Sequence, residues 1–191
     1  MDRIYNGRAV FLDRDGTIIE EVNFLHEPEK VRLISGAAEA LVRLRDAGFR
    51  LIVTTNQSGV ARGLFTEEQL IAVNDELERQ LRAAGAGIDE YYYCPHHPDF
   101  GCTCNCRKPS SGMVDKAAEK YGVDVAGSYF FGDKASDIEF ARTCGGKAVL
   151  VLTGYGSGET DKLRSMCIEP DKVCESINEA ADWAIEDSKK S

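Results

Sequence analysis

Short apolar runs alternate with longer amphipathic stretches along the chain, and this alternation constrains the fold more than any other feature. Apolar runs of strand length lie at residues 8–13, 49–56, 88–95, 128–133 and 147–153. Helical periodicity with capping signals covers residues 36–48, 65–85, 111–122, 135–145 and 175–190. Nearly continuous apolar strands separated by helices are typical of a parallel sheet with helices on both faces. We therefore expect an α/β fold, a doubly wound parallel sheet.

The acidic composition limits the kinds of partner. The 191 residues carry a formal net charge of -9, which disfavours general attraction to nucleic acid or to an anionic membrane. No stretch approaches the roughly 20 apolar residues of a membrane span, and the N-terminus lacks the pattern of a signal peptide. We expect a cytoplasmic monomer with residues 1–191 in one domain. Such an acidic chain must hold an anionic substrate with a few well-placed cations.

Polar groups follow the predicted strands in a consistent way. Three strands run into the segments DRDGT at 13–17, TTNQS at 54–58 and GDK at 132–134. The connection after the third strand adds the pair Arg107 and Lys108. Taken singly, each motif also fits a turn or a helix cap. In a doubly wound sheet, however, the carboxyl ends of the strands meet at one edge, so the ordered set predicts a site there.

The residue types in this set indicate phosphoryl chemistry. Asp13, Asp15 and Asp133 would bring three carboxylates together, which is costly unless a cation lies among them. Oxygen ligands of this kind suit Mg²⁺. Lys108 and the hydroxyl of Thr55 would neutralise a bound phosphoryl group. One aspartate can attack phosphorus directly, while a second protonates the leaving oxygen and later activates water.

A loop rich in cysteine and histidine, CPHHPDFGCTCNC at 94–106, precedes the dibasic pair. Its spacing provides a Cys₃His set, the stoichiometry of a closed structural zinc site, and mixed ligands favour zinc over an iron–sulfur cluster. The expected ligands are Cys94, His96, Cys104 and Cys106. Cys102 and His97 are alternative ligands. Disulfides do not suit a cytoplasmic chain with seven cysteines. Cys144, Cys167 and Cys174 lack such spacing and are expected to be small buried apolar residues.

Four segments, FLDRDGTI, TTNQSG, CRKP and GDKASD, resemble in order the four motifs of the haloacid dehalogenase (HAD) superfamily of phosphohydrolases. The Cys/His loop, the segment NQSGVARG and the chain length resemble more narrowly the D-glycero-D-manno-heptose-1,7-bisphosphate 7-phosphatases, which share a subgroup with histidinol-phosphatases. The match covers residues 8 to 155. It implies a Rossmann-like HAD fold with a zinc loop at 94–108 and essentially no cap, since only a short segment separates the first strand from the first helix.

The resemblance also implies a role for each matching residue. Asp13 would be the nucleophile that becomes phosphorylated, and Asp15 the general acid/base. Mg²⁺ would be held by Asp13, the backbone carbonyl of Asp15, and Asp133, with Asp137 in support. Thr55 and Lys108 would bind the transferring phosphoryl group. The other substrate-binding residues would be Glu21, Val22, Asn23, Phe24, Asn56, Gln57, Ser58 and Arg107.

In the related phosphatases the matching loop positions hold Zn²⁺, which favours Cys104 over Cys102 and His96 over His97. The zinc would then position Arg107 and Lys108 without taking part in the chemistry. The expected activity is removal of the 7-phosphate of a heptose bisphosphate through an aspartyl-phosphate, in the synthesis of nucleotide-activated heptose. Two alternatives are a histidinol-phosphatase and, from a different class, a receiver-like signalling domain that accepts a phosphoryl group.

Overall fold

Six strands form one parallel sheet. The structure, a computed structural model, describes residues 5–101 and 103–190. The strands are β1 (Ala9–Leu12), β2 (Arg50–Asn56), β3 (Glu90–Cys94), β4 (Tyr129–Gly132), β5 (Lys147–Val151) and β6 (Lys172–Cys174). Their order is β3-β2-β1-β4-β5-β6, and every neighbouring pair is parallel. This arrangement confirms the predicted doubly wound sheet, and its topological switch point lies between β1 and β4.

Among the described residues, five α-helices lie between successive strands and a sixth follows β6; the bounds of five of the six agree with the sequence prediction to within two residues. They are α1 (Ala37–Asp46), α2 (Glu67–Ala83), α3 (Gly112–Tyr121), α4 (Ala135–Cys144), α5 (Gly156–Ser165) and α6 (Ile177–Ser188). Thr66 caps α2 through a capping box with Gln69. The sequence prediction missed α5 and β6. The ten residues of α5 bury only Gly156 and Leu163, so the helix has no apolar stripe to detect, and β6 is three residues long.

The side chains of each strand point alternately into two separate cores. Val10 and Leu12 of β1 pack in the core that includes α1, α2 and α6, whereas Ala9 and Phe11 face α3, α4 and α5. Burial on both faces explains why the strands read as continuous apolar runs. Cys174 is buried and Cys144 is half-buried, but Cys167 is exposed, so the expectation of a buried residue is wrong there.

Residues 16–36, between β1 and α1, form a short irregular segment in place of a cap. It contains one 3₁₀ turn at Pro28–Lys30 and a bridge between Ile19 and Leu33. The segment therefore leaves the carboxyl edge of the sheet open. Within residues 5–101 and 103–190, none of the helices combines the length and the apolar character that crossing a membrane requires.

Candidate active site

The carboxylate of Asp13, directly after β1, lies 2.7 Å from the Nζ atom of Lys108. The same ammonium donates to Asp137 Oδ1 at 2.5 Å and to the Thr54 carbonyl at 2.8 Å, so all three of its protons have acceptors. Both Asp13 and Lys108 are buried. Burial by itself raises the pKa of Asp13, but Lys108 and Lys134 outweigh burial and hold the pKa below its ordinary value. Asp13 is therefore an anion at neutral pH, as a nucleophile must be.

Three carboxylates, those of Asp13, Asp133 and Asp137, lie within 4.8 Å of one another. Asp133 is fully buried, and its Oδ1 atom has no hydrogen-bond partner. Burial, with the negative charge of Asp13, raises the pKa of Asp133 to about 7. The nearest cation to this oxygen is Lys134 Nζ, at 3.5 Å. A buried oxygen that accepts no hydrogen bond, beside two further carboxylates, fits a hard divalent cation such as Mg²⁺. The three-carboxylate cluster consists of side-chain oxygens only. The expected coordination of Mg²⁺ by the backbone carbonyl of Asp15 therefore stays a prediction.

Two glycines make room for the Asp133 carboxylate. A Cβ atom on Gly16 would lie 2.0 Å from Asp133 Oδ2, and one on Gly154 would lie 2.2 Å from the same oxygen. Both glycines have positive φ angles, which side-chain-bearing residues rarely adopt. The Thr153 hydroxyl donates to the Gly16 carbonyl at 2.6 Å and joins the two turns. Gly16 belongs to the DRDGT motif at 13–17. Gly154 belongs to no recognisable motif, and the sequence did not predict its contribution to the site.

The Asp15 carboxylate is held by a buried arginine. Arg14 Nε and a terminal nitrogen of Arg14 each donate to Asp15 at 3.1 Å, one to each oxygen. The other terminal nitrogen donates to Asn74 on α2 at 2.8 Å, and Arg14 is 0% exposed. Gln57 also donates to Asp15 at 2.9 Å. No role was predicted for Arg14 or Asn74 from the sequence, although a charged residue at a buried strand end requires partners.

The last residues of β2 tie this strand to the dibasic pair. The Asn56 amide donates to the Lys108 carbonyl at 3.2 Å, and its oxygen accepts from the Lys108 backbone N–H at 3.0 Å. The Thr55 hydroxyl is buried and accepts from Gln57 at 2.9 Å. Asn56, expected to bind substrate, therefore uses its side chain to hold the backbone of Lys108.

Two adjoining cavities bring the predicted substrate-binding residues together. A cavity of 220 Å³ is lined by Thr55, Asn56, Arg107 and Lys108, together with Asp13 and Asp137. A larger cavity of 390 Å³ is lined by residues 21–24 and 56–58. The two cavities share the walls Asp15, Asn56, Lys134 and Ser136. Every predicted substrate-binding residue thus lines one of the two, and Lys134, 3.1 Å from Glu21 Oε2, lies at their junction.

Comparison with known proteins places this site in a family. A family model described as HAD-hydrolase-like matches residues 105–180. A D-glycero-beta-D-manno-heptose-1,7-bisphosphate 7-phosphatase from Yersinia pestis is 43% identical over 152 residues, 76% of this chain and 81% of that protein. The chain belongs to this family of HAD-like hydrolases.

Two further relatives extend the comparison. A D-glycero-alpha-D-manno-heptose-1,7-bisphosphate 7-phosphatase from Photorhabdus laumondii is 39% identical over 158 residues, 80% of this chain and 86% of that protein. The crystal structure of a D,D-heptose 1,7-bisphosphate phosphatase from B. bronchiseptica, complexed with magnesium and phosphate, has a TM-score of 0.84 and 35% identity. The structural match covers 94% of this chain and 99% of the B. bronchiseptica chain. The family thus includes proteins named for each anomer of the substrate.

In this member of the HAD-like family, the Cys/His loop gathers the four expected ligands. One ligand atom from each of Cys94, His96, Cys104 and Cys106 lies within 4.8 Å of the others. Burial alone raises the pKa of Cys104, but hydrogen bonds from Cys106 and Cys94 outweigh it and lower the pKa to about 6. His97 instead places Nε2 3.1 Å from Arg62. Cys102 lies outside the described residues. The donor set fits a structural zinc ion.

Proposed function

We propose that this protein is a Mg²⁺-dependent phosphatase that removes the 7-phosphate of D-glycero-D-manno-heptose 1,7-bisphosphate, in the synthesis of nucleotide-activated heptose. The observation that carries the proposal is the ion pair of Asp13 and Lys108, 2.7 Å apart, beside the Asp133 carboxylate, whose Oδ1 atom accepts no hydrogen bond. The nucleophile Asp13 and the phosphate-binding cation Lys108 thereby line one small cavity, and Asp133 belongs to the carboxylate cluster that Asp13 forms. Membership of the heptose-bisphosphate phosphatase family supports the choice of substrate.

In the first half-reaction, a carboxylate oxygen of Asp13 attacks the phosphorus, and the bond from phosphorus to the sugar oxygen breaks. Lys108 and Thr55 bind the oxygens of the transferring phosphoryl group. Asp15 donates the proton that the leaving sugar oxygen requires. Asp13, Asp133 and the Asp15 carbonyl would hold Mg²⁺, which would supply charge that screens the repulsion between the nucleophile and the phosphoryl group.

In the second half-reaction, water hydrolyses the aspartyl-phosphate. Asp15, now a carboxylate, accepts a proton from the attacking water, and inorganic phosphate leaves Asp13 in its starting form. The hydrogen bonds from Arg14 and Gln57 hold the Asp15 carboxylate in place between the two steps. The same side chain therefore serves as acid and then as base.

We propose further that Zn²⁺ in the Cys/His loop is structural. Cys106 directly precedes Arg107, and an Arg107 nitrogen donates to the His96 carbonyl at 3.1 Å, so the ligand cluster and the dibasic pair are joined at two points. Fixing Cys106 in space orients Arg107 toward the distal part of the substrate and Lys108 toward the reacting phosphoryl group. The zinc would act as a scaffold, without contact to substrate.

The proposal also includes the organisation of the chain. One sheet contains all six described strands, which supports a single domain over residues 1–191 with the loop at 94–108 inserted. We propose a monomer that acts in the cytoplasm, where a sugar phosphate substrate is made. Size-exclusion chromatography with light scattering would measure the oligomeric state.

Phosphate release tests the function. The assay supplies Mg²⁺ with each anomer of heptose 1,7-bisphosphate, histidinol phosphate and fructose bisphosphate, and Asp13→Asn serves as the inactive control. A preference of about 100-fold for one heptose anomer, about 2.7 kcal/mol of differential transition-state binding, is the expected result. Faster hydrolysis of histidinol phosphate would overturn the substrate. Phosphorylation of Asp13 without turnover would favour a signalling domain.

A further inference from the structure

One wall of the larger cavity is built by residues to which the sequence analysis assigned no role. The connection from β5 and the first turns of α5 contribute Tyr155, Glu159 and Lys162 to the 390 Å³ cavity. Tyr155 is 49% exposed, unusually open for a large aromatic side chain. Phe24, 37% exposed, lines the same cavity. Two solvent-facing aromatic rings thus lie beside the path that leads to Asp15.

The backbone around Tyr155 is fixed to the reaction centre. The Tyr155 N–H donates to Asp133 Oδ2 at 2.9 Å, and the Thr153 hydroxyl donates to the Gly16 carbonyl at 2.6 Å. Lys134 Nζ lies 4.9 Å from the centre of the Tyr155 ring, within range of a cation–π contact. The backbone of Tyr155 is therefore anchored beside the metal-binding carboxylates, while about half of the residue's surface is exposed to solvent and the side chain lines the cavity.

Polar groups next to this ring are also held in place. Glu159 Oε2 accepts from the Ala135 N–H at 2.8 Å, which joins α5 to the start of α4. Lys162 Nζ lies 3.0 Å from the same oxygen. A rigid aromatic face beside an anchored carboxylate and an ammonium group resembles the lining of small-molecule sites, in which a few polar groups orient the ligand. The 390 Å³ of the cavity lies within the roughly 300–1,000 Å³ of such sites.

We propose that Tyr155 is a specificity-determining residue whose ring stacks on the apolar C–H face of the sugar, while Glu159 and Lys162 contact its hydroxyl groups. The inference rests on the proposed function, because it assumes that the phosphoryl group lies at Asp13. Asp13 lines the smaller cavity and Tyr155 lines the larger one, and both cavities have Asp15 and Lys134 in their walls. With its phosphoryl group at Asp13, the substrate would therefore extend past these shared residues toward Tyr155. A tyrosine offers an apolar ring of low conformational entropy, which suits a polyhydroxylated ligand with one apolar face.

The test compares a sugar substrate with a phosphate donor that has no sugar. Steady-state kinetics of wild type, Tyr155→Ala and Tyr155→Phe are measured with heptose 1,7-bisphosphate and with acetyl phosphate. We expect Tyr155→Ala to lower the ratio of kcat/KM for the heptose bisphosphate to kcat/KM for acetyl phosphate about tenfold, mainly through KM. This tenfold change corresponds to about 1.4 kcal/mol. Tyr155→Phe keeps the ring and should stay within about twofold of wild type in that ratio.

Met166→Ala is the matched control, since Met166 is an exposed apolar residue that directly follows α5, away from the cavity. An unchanged ratio in Tyr155→Ala would overturn the inference, as would an equal loss on both substrates, which would mean that Tyr155 acts through Asp133. If Tyr155→Phe lowered the ratio of the two kcat/KM values as much as Tyr155→Ala does, the hydroxyl group and not the ring would be responsible, and stacking would be excluded. Wild-type protein that hydrolyses acetyl phosphate but not heptose bisphosphate would overturn the proposed function itself, and the stacking role with it.

Discussion

The guanidinium group of Arg14 donates to both carboxylate oxygens of Asp15, and no solvent reaches Arg14. Lysine cannot make this paired contact, because its ammonium is a single point of charge. We therefore expect Arg14→Lys to leave Asp15 poorly oriented and to lower kcat/KM for heptose bisphosphate about 10²-fold, the lower range of a general acid's contribution. The value of kcat/KM reports the formation of the aspartyl-phosphate. Because acetyl phosphate has a leaving group that needs no proton, its kcat/KM should fall much less, although the later attack of water, in which Asp15 is the base, slows for both substrates.

Arg79→Lys is the control for this first prediction, because Arg79 is an exposed arginine of α2 that pairs with Glu76. It should leave both substrates unaffected. Circular dichroism and thermal unfolding would establish that the Arg14 variant is folded. A parallel loss of kcat/KM on both substrates in a folded variant would show that Arg14 does not act through the acid role of Asp15.

Lys108 compensates two buried carboxylates, so its removal should affect stability as well as activity. In Lys108→Met, Asp13 and Asp137 lose their shared cation while remaining buried. We expect the free energy of unfolding of the metal-free protein to fall by about 3–5 kcal/mol, the usual cost of breaking a buried ion pair. Urea unfolding measures it. Lys30→Met, which removes a solvent-exposed partner of Glu27, should leave the free energy of unfolding nearly unchanged. Similar losses for the two variants would show that Lys108 does not stabilise the fold by compensating Asp13 and Asp137.

The zinc proposal predicts a coupled loss of metal and activity. Elemental analysis of wild-type protein should find one Zn²⁺ per chain, whereas Cys106→Ser should lose it. Cys106 directly precedes the pair Arg107 and Lys108, so loss of the zinc ion should displace both residues. A displacement of about 1 Å should lower kcat/KM about 10²-fold. Cys167→Ser, at an exposed cysteine outside the cluster, is the control. Zinc-free Cys106→Ser with wild-type kcat/KM would show that the loop does not position the dibasic pair.

The sheet and the reaction centre could be predicted from the sequence because each rests on a local pattern. Apolar runs predict buried strands, and polar residues at the ends of parallel strands must converge. Arg14 lies between two acids, and no sequence pattern shows which one it contacts. Tyr155 was missed with α5, since that polar helix has no apolar face for periodicity to detect. What sequence leaves open here is the direction of individual side chains and the contribution of short polar elements.

Gly154 should tolerate no side chain, because its Cβ would lie 2.2 Å from Asp133 Oδ2 and 2.6 Å from the Gly16 Cα. Gly154→Ala is expected to lower the free energy of unfolding by about 1–3 kcal/mol through overpacking and to weaken Mg²⁺ binding, measured by calorimetry. In contrast, Gly158 lies within α5 with nothing within 4 Å of its Cβ position. Gly158→Ala should be neutral or stabilise by about 0.5–1 kcal/mol. Equal Mg²⁺ affinity in both variants would contradict the role assigned to Gly154.

A pH dependence of stability is expected from Asp187 on α6, whose carboxylate accepts from the Tyr129 hydroxyl at 2.8 Å and pairs with Lys147. Burial alone raises the pKa of Asp187, but hydrogen bonds from Lys147 and Tyr129 outweigh it and hold the pKa below its ordinary value. A carboxyl group with a lowered pKa stabilises the fold above its unfolded pKa, and this contribution is lost as pH falls through the folded pKa.

Asp187→Ala should therefore destabilise the protein by about 1–3 kcal/mol at pH 7, where the Tyr129 hydroxyl loses its acceptor. The difference from wild type should stay constant down to about pH 5 and narrow below about pH 4, as Asp187 of the wild type becomes protonated. Urea unfolding across this range measures it. Glu186→Ala, at the exposed neighbouring position, should show no such trend. A difference that stays constant to pH 3.5 would mean that packing, and not the charge of Asp187, stabilises this contact.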